Sequence, residues 1–265
     1  MRFLILALLL SACAAPQPDI DLDTRQAQPD HPALLNPGQA YARGVQLRDA
    51  GDEAESLRYF TSAAERGHAE SQFLMGLHNL TLEDGDNHDT QAAYWILKAA
   101  EQDHAEALRY AWQLYLYGRG VEQSDTQAFT WLQRAAAGTQ TDSWYHLGLA
   151  YYEGIGTPKD PAEAANWFRK AGQAGVGDAC YQLGVMHMAG DGVPQSDQDA
   201  CAWFAAGAGQ RHPPSYLGLG DCFRDGRGIE RDIEQARKWY SLAAMTGEAE
   251  LSAAASIRLD SLPKE

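Results

Sequence analysis

The chain is poor in the residue spacings that catalysis and cofactor binding need. Its 265 residues contain no Gly-x-Ser-x-Gly, no His-Glu-x-x-His, no phosphate loop and no dinucleotide fingerprint, which removes the usual sequence signs of an activated serine, a zinc helix or a nucleotide cradle. Cysteine is scarce: Cys13, Cys180, Cys201 and Cys222 make neither a Cys-x-x-Cys nor a Cys/His zinc pattern. The eight histidines read as scattered, so a metal site would have to be assembled by tertiary accident. No catalytic residue, metal or cofactor is therefore expected. Positive charge is also short. Lys and Arg number 21 against 36 Asp and Glu, a net charge of −15, which gives no electrostatic reason to approach nucleic acid or anionic headgroups. Such a charge suits a self-repelling, soluble surface, or else a basic partner. The N-terminal apolar run, Phe3 to Leu10, is too brief to span lipid, because at about 1.5 Å per residue it falls far short of a ~30 Å bilayer core. Behind Met1-Arg2 it has the form of an export signal.

What the chain has is repetition. Trp95, Trp131, Trp167, Trp203 and Trp239 stand 36 positions apart, each four residues before a small pair: Ala99-Ala100, Ala135-Ala136, Ala171-Gly172, Gly207-Ala208 and Ala243-Ala244. An aromatic and a small pair in strict register mean that each segment docks on its neighbours in the same way. A period of 20 to 50 residues is the mark of stacked arrays, and this one suits a two-helix repeat. The first repeat covers about 39–67, with Tyr41 to Ala50 as helix A, Asp52 to Arg66 as helix B, and Tyr59 in the tryptophan place. Later repeats begin near His68, His104, Thr139, Val176 and Gln210. Their first helices carry Gly76, Trp112, Gly148, Gly184 and Gly220 at one register position. Glycine in mid-helix costs about 1 kcal/mol, so its recurrence predicts close helix–helix approach. Trp112 breaks the series and is expected to wedge its repeat from the one before it or to project onto a surface.

Between the helices lie Gly118-Arg119-Gly120, Gly154-Ile155-Gly156, Gly190-Asp191-Gly192 and Gly226-Arg227-Gly228, where glycine supplies the positive φ that stops a helix and reverses the chain. Asp52, Ser124, Asp160, Ser196 and Asp232 then open helix B, with Glu55, Gln127, Glu163, Asp199 and Gln235 three residues on. This spacing predicts capping boxes, with the Glu or Gln reaching back to the cap. Pro161 at a first helical position reinforces one of them. In the second repeat His88 takes the cap position. After Gly247, Glu248 to Leu259 reads as a last amphipathic helix that covers the open end of the stack.

Helix-A glycine, an aromatic three on, Gly-x-Gly, a capping residue, Ala-x-x-Trp and a small pair together closely resemble the Sel1-like repeat, a relative of the tetratricopeptide repeat. The fourth repeat spells it as Leu147-Gly148, Tyr151, Gly154-Ile155-Gly156, Asp160, Ala164, Trp167 and Ala171-Gly172. The resemblance covers about residues 38–260, within a repeat domain drawn at 38–262. It implies an all-α fold, a right-handed α-solenoid of about six helix hairpins with a C-terminal capping helix. These repeats serve mainly as protein–protein scaffolds, so the implied function is a non-enzymatic adaptor. In such stacks helix A lines the concave side. Counting 36 along that face gives Leu80, Leu116, Tyr152, Met188 and Arg224. Leu116, Tyr117, Tyr152, Glu153, Met188 and Arg224 are the candidate partner-binding residues, because apolar anchors beside a few polar groups suit a peptide ligand. Tyr145, Leu149, Tyr181 and Val185 read as packing between helices.

Leu10-Ser11-Ala12-Cys13 resembles the lipobox of bacterial lipoproteins, which implies cleavage before Cys13 and acylation of that residue. Ordinary secretory cleavage at a small-residue site is the alternative. Removal of residues 1–12 takes away Arg2 and no acid, which leaves a charge nearer −16. Two or more acyl chains anchor stably where one is marginal. Ala14, in place of an acidic residue, implies the periplasmic face of a Gram-negative outer membrane. Residues 13–37 hold five of eleven prolines and no aromatic, the composition of a tether. The expected partner is another envelope protein or peptide segment, the membrane being reached through the lipid alone. Cys180, Cys201 and Cys222 are open to two readings, as buried inert thiols or with Cys201 and Cys222 joined across neighbouring helices in an oxidising compartment. Some exported Sel1-like proteins carry a regular cysteine pair per repeat and have been linked to penicillin binding or β-lactam hydrolysis. The regular pairing is missing here, so the activity is not carried over. An enzyme acting on cell-wall material and a purely mechanical spacer stand as the alternatives.

Overall fold

In a computed structural model, residues 31–82, 86–138 and 140–263 are described. Cys13 and most of the expected tether lie outside them. The described chain contains thirteen helices and no strand, and none of these helices is long and apolar enough to cross a membrane. It divides into two compact units between Ser71 and Gln72.

The first unit is a helix hairpin, α1 (Pro37–Asp49) and α2 (Glu53–Glu65). Its first helix starts four residues before the expected Tyr41. Asn36 and Gln39 form a reciprocal capping box and Pro37 sits pre-organised at the first helical position. Tyr59 and Ala63 bury against Ala40, and the Ser56 hydroxyl donates to the Gly44 carbonyl at 2.8 Å. Residues just before α1 are tied down as well, since Arg66 donates to the carbonyls of Pro32 and Leu35.

The second unit is an α-solenoid of stacked hairpins. Its helices are α3 (Ala69–Leu80, its body in this unit), α4 (Asp86–Glu101), α5 (Ala105–Tyr117), α6 (Asp125–Ala137), α7 (Thr141–Glu153), α8 (Pro161–Gln173), α9 (Gly177–Ala189), α10 (Asp197–Gly209), α11 (Pro213–Asp225), α12 (Ile233–Ala244) and α13 (Ala249–Asp260). The 36-residue tryptophans are only half-buried. The hairpin cores are instead built by the residues that follow them, Ile96, Leu132, Phe168, Phe204 and Tyr240, all at 4% exposure or less. Helix A meets this row with its glycine. A Cβ on Gly148 would stand 2.6 Å from the Phe168 ring, so the ring lies directly on the α7 backbone. Trp112 departs from the pattern without projecting: it is 6% exposed and packs in a core cluster with Leu132, Ala136 and Leu147. Its own ring fills helix A where the later repeats receive a bulkier side chain from helix B on a glycine.

The Gly-x-Gly turn has a second use beyond reversing the chain. Gly154 stops α7 in the left-handed conformation, its N–H bonded to the Ala150 carbonyl at 2.9 Å. Gly156, at φ +68°, lies against the start of the previous helix B, where a Cβ would come 2.1 Å from the Asp125 carbonyl oxygen. The same glycine of each later turn, and of the one before, abuts the first turn of the preceding helix B. Absence of a side chain therefore joins one repeat to the next.

The expected capping boxes form by half. Asp52, Ser124, Asp160, Ser196 and Asp232 each accept from the backbone N–H three residues on. The return bond is absent there because the cap N–H is already bound. Asp160 N–H, for example, donates to the Tyr151 carbonyl at 2.8 Å, and Glu163 instead accepts from Asn166. His88 is not a cap, since α4 begins at Asp86 and takes it into the first turn. Three histidines read as scattered share one register place: His68, His104 and His212 stand at the mouth of helix A. His104 accepts from the Ala107 N–H, and His212 meets the Ser215 hydroxyl at 2.9 Å.

α13 and the turn after it close the unit through Ala255 and Leu262, packed with Leu217, Tyr240 and Ala243. Asp221 fastens it, accepting from the Tyr240 hydroxyl at 2.7 Å, Arg258 at 3.1 Å and Arg224 at 2.9 Å. Cys201 of α10 and Cys222 of α11 are disulfide-bonded with Cα atoms 6.0 Å apart, while Cys180 is a buried free thiol. A cross-link between residues separated by 21 positions restrains the unfolded chain by about 3 kcal/mol. Chemical denaturation with and without a reducing thiol is expected to differ by that amount, and coincident curves would contradict the expectation.

Candidate functional site

Thirteen-residue A helices end each time on the same two or three side chains, so the candidate row falls at the C-terminal ends of α5, α7, α9 and α11. The four positions are not equivalent. Met188 is half-buried on the edge of the α10–α11 core. Tyr152 is half-buried, its hydroxyl donating to Asp191 at 2.9 Å, with the Lys159 ammonium 4.9 Å above its ring. The Asp191 bond and burial hold its phenol above the ordinary range. Glu153 is exposed. Arg224 is committed within the fold, with carboxylate oxygens of Asp225 at 2.6 Å and Asp221 at 2.9 Å. These partners, led by the Asp225 hydrogen bond, raise its already high pKa. Tyr145 and Tyr181 lean on Phe168 and Phe204, each at 5.7 Å between centroids, as expected of packing residues.

Leu116 and Tyr117 differ from the rest because they border a cleft. It has a volume of about 260 Å³ and lies among α5, α6 and α7, lined by Trp112, Leu116, Tyr117, Phe129, Leu132, His146, Leu149 and Ile155 among others. Tyr117 stands 73% exposed at its edge. Trp112 forms part of the wall with its indole N–H buried and lacking a hydrogen-bond partner. Two exchanges accompany the cleft: Trp112 stands where the later repeats carry glycine, and Leu132 stands where they carry Phe168, Phe204 and Tyr240, the shorter side chain leaving room beside the Trp112 ring. Sequence reading noted Trp112 and missed Leu132. Comparing the two register columns, twenty residues apart, was the available signal.

His146 packs 4.8 Å from the Trp112 ring centroid. Burial lowers its pKa below 6.5, against weaker opposing pulls from Asp142 and Asp178. The unfolded chain therefore takes up a proton before the folded one does, so stability is highest with the ring neutral. It falls as pH drops from about 6.5 toward the lower folded value, then levels off. Urea denaturation should show this loss, and His146→Gln should flatten it. A variant with the same pH dependence as the parent would refute the assignment.

Among the described residues no group of three His, Cys, Asp or Glu side chains is placed to hold a metal ion. A Ser-x-x-Lys spacing occurs once, at Ser261 to Lys264. Ser261 there is the α13 C-cap, its hydroxyl bonded to the Arg258 carbonyl at 2.7 Å, and Lys264 lies outside the described residues.

Solved structures similar to this chain include c5321, a protective antigen of uropathogenic Escherichia coli strains displaying an SLR fold. The two share 25% identity and a TM-score of 0.76 over 91% of this chain. A Sel1 repeat protein from Oxalobacter formigenes is 29% identical, with a TM-score of 0.67 over 85% of this chain. The present chain spans 51% of the first protein's length and 67% of the second's. No curated protein matches it significantly. The Sel1 repeat pattern itself matches six times, over residues 32–68, 69–104, 107–139, 143–176, 177–212 and 213–247, and with nearly every helix accounted for in this way the chain belongs to the Sel1 repeat family.

Proposed function

We propose that the protein is a non-enzymatic adaptor of the bacterial envelope, anchored by acyl chains on Cys13, which holds a peptide segment of another envelope protein along its helix-A face. Sel1 repeat proteins are in general protein-interaction scaffolds, and that setting gives the proposal its starting point. The observation that carries it is the half-buried series Leu116, Tyr152 and Met188 on successive A helices. These side chains keep apolar surface in water at a fixed interval, which suits an extended ligand with several anchors. The anchor rests on the Leu10-Ser11-Ala12-Cys13 sequence and the outer-membrane destination on Ala14.

The two parts are separately testable. In a Gram-negative host fed an alkyne fatty acid, the parent should become labelled and sediment with outer membranes, and Cys13→Ser should do neither. Unmodified Cys13 in cytoplasmic protein would end the anchoring proposal. Tyr152→Ala with Met188→Ala should remove a specific protein from pull-downs of the acylated chain while the helical fold persists. Unchanged pull-downs would favour a mechanical spacer.

A further inference from the structure

The cleft among α5, α6 and α7 deepens the adaptor reading and depends on it. Its volume, about 260 Å³, falls below the roughly 300–1,000 Å³ of sites that enclose a free small molecule. It is large enough for one bulky side chain of a larger partner. Its walls, Leu116, Phe129, Leu149 and Ile155, carry no charge.

Charge around the cleft selects the segment that bears the anchor. Arg119, next to the Gly118 that ends α5, is neutralised by Asp89 at 2.8 Å. Glu153, two residues before the lining residue Ile155, is an exposed carboxylate. It belongs to a chain whose net charge is −15. A cationic segment is attracted to such a rim and an acidic one is repelled.

We propose that this cleft seats a single large apolar side chain from a Lys- or Arg-flanked segment of a partner protein. The site is particular to the third repeat because only there does tryptophan replace the helix-A glycine, opposite Leu132 where the later repeats carry Phe168, Phe204 and Tyr240.

The test is selection of a random dodecapeptide display library on the folded full chain, followed by affinity measurements on Leu132→Phe, which refills the cleft, and Tyr117→Ala, which alters only its exposed edge. Circular dichroism checks that both variants fold. Enriched peptides are expected to carry one bulky apolar residue among Lys or Arg, and to weaken with added salt. They should bind Leu132→Phe about tenfold or more weakly and Tyr117→Ala less tightly than the parent. Enrichment of acidic or uncharged peptides would overturn the proposal, as would binding unmoved by either substitution. Peptides that respond only to Tyr152→Ala and Met188→Ala would sink the cleft and leave the helix-A reading standing. No enrichment at all would sink both.

Discussion

Gly156→Ala is expected to destabilise the second unit by about 2–5 kcal/mol, at the upper end enough to unfold a marginal domain. Two costs combine. An alanine at φ +68° occupies the left-handed region at roughly 1–2 kcal/mol. Its Cβ would also lie 2.1 Å from the Asp125 carbonyl oxygen and 2.8 Å from Phe129 Cβ. The obstacle is mainly helix backbone, so α6 must shift away from the turn, an overpacking cost of about 1–3 kcal/mol. Gly154→Ala is the internal control. It has φ +78°, but its Cβ would meet nothing nearer than 3.3 Å, so only the conformational cost applies. Urea denaturation of the two variants should separate them by 1 kcal/mol or more. Equal losses would mean that the second glycine merely turns the chain and does not join repeats.

The second large effect concerns which aromatic row holds the hairpins together. Phe168→Ala should cost about 3–5 kcal/mol, as for a large side chain removed from a closed core, because the ring is fully buried against the α7 backbone. Trp167→Ala should cost clearly less, since its indole already meets solvent on one side and the Lys170 ammonium at 5.0 Å. Thermal or urea denaturation ranks them. A larger loss at Trp167 would contradict the packing described here.

That contrast shows where the sequence was informative. Period, helix order, the closing helix and every helix-B cap but that of the second repeat were legible, because each is a local signal repeated in register. The core row was harder to see. Trp167 and Phe168 recur at the same interval, and periodicity alone cannot tell which of two adjacent columns turns inward. The α1 start was written in Asn36, Pro37 and Gln39, but the first two lay hidden inside a stretch read as tether. The return half of the capping boxes failed for a reason invisible to local rules: a helix-A carbonyl, nine residues upstream in four of the five and five upstream at Asp52, takes the N–H first. Of the candidate binding residues, Leu116 and Tyr117 border a real concavity. Arg224 is absorbed by Asp221 and Asp225, pairings that depend on a helix turn and on the adjacent residue, which a count of 36 does not register.

The adaptor reading is tested most directly by photo-crosslinking in intact envelopes. A photoreactive residue would replace Tyr117, Tyr152 or Met188 on the helix-A face, or exposed Gln133 or Lys238 on helix B. The expected result is one and the same partner polypeptide joined to all three helix-A positions and to neither helix-B position. Adducts confined to helix B, or the same adducts from every position, would contradict a partner held along the A helices.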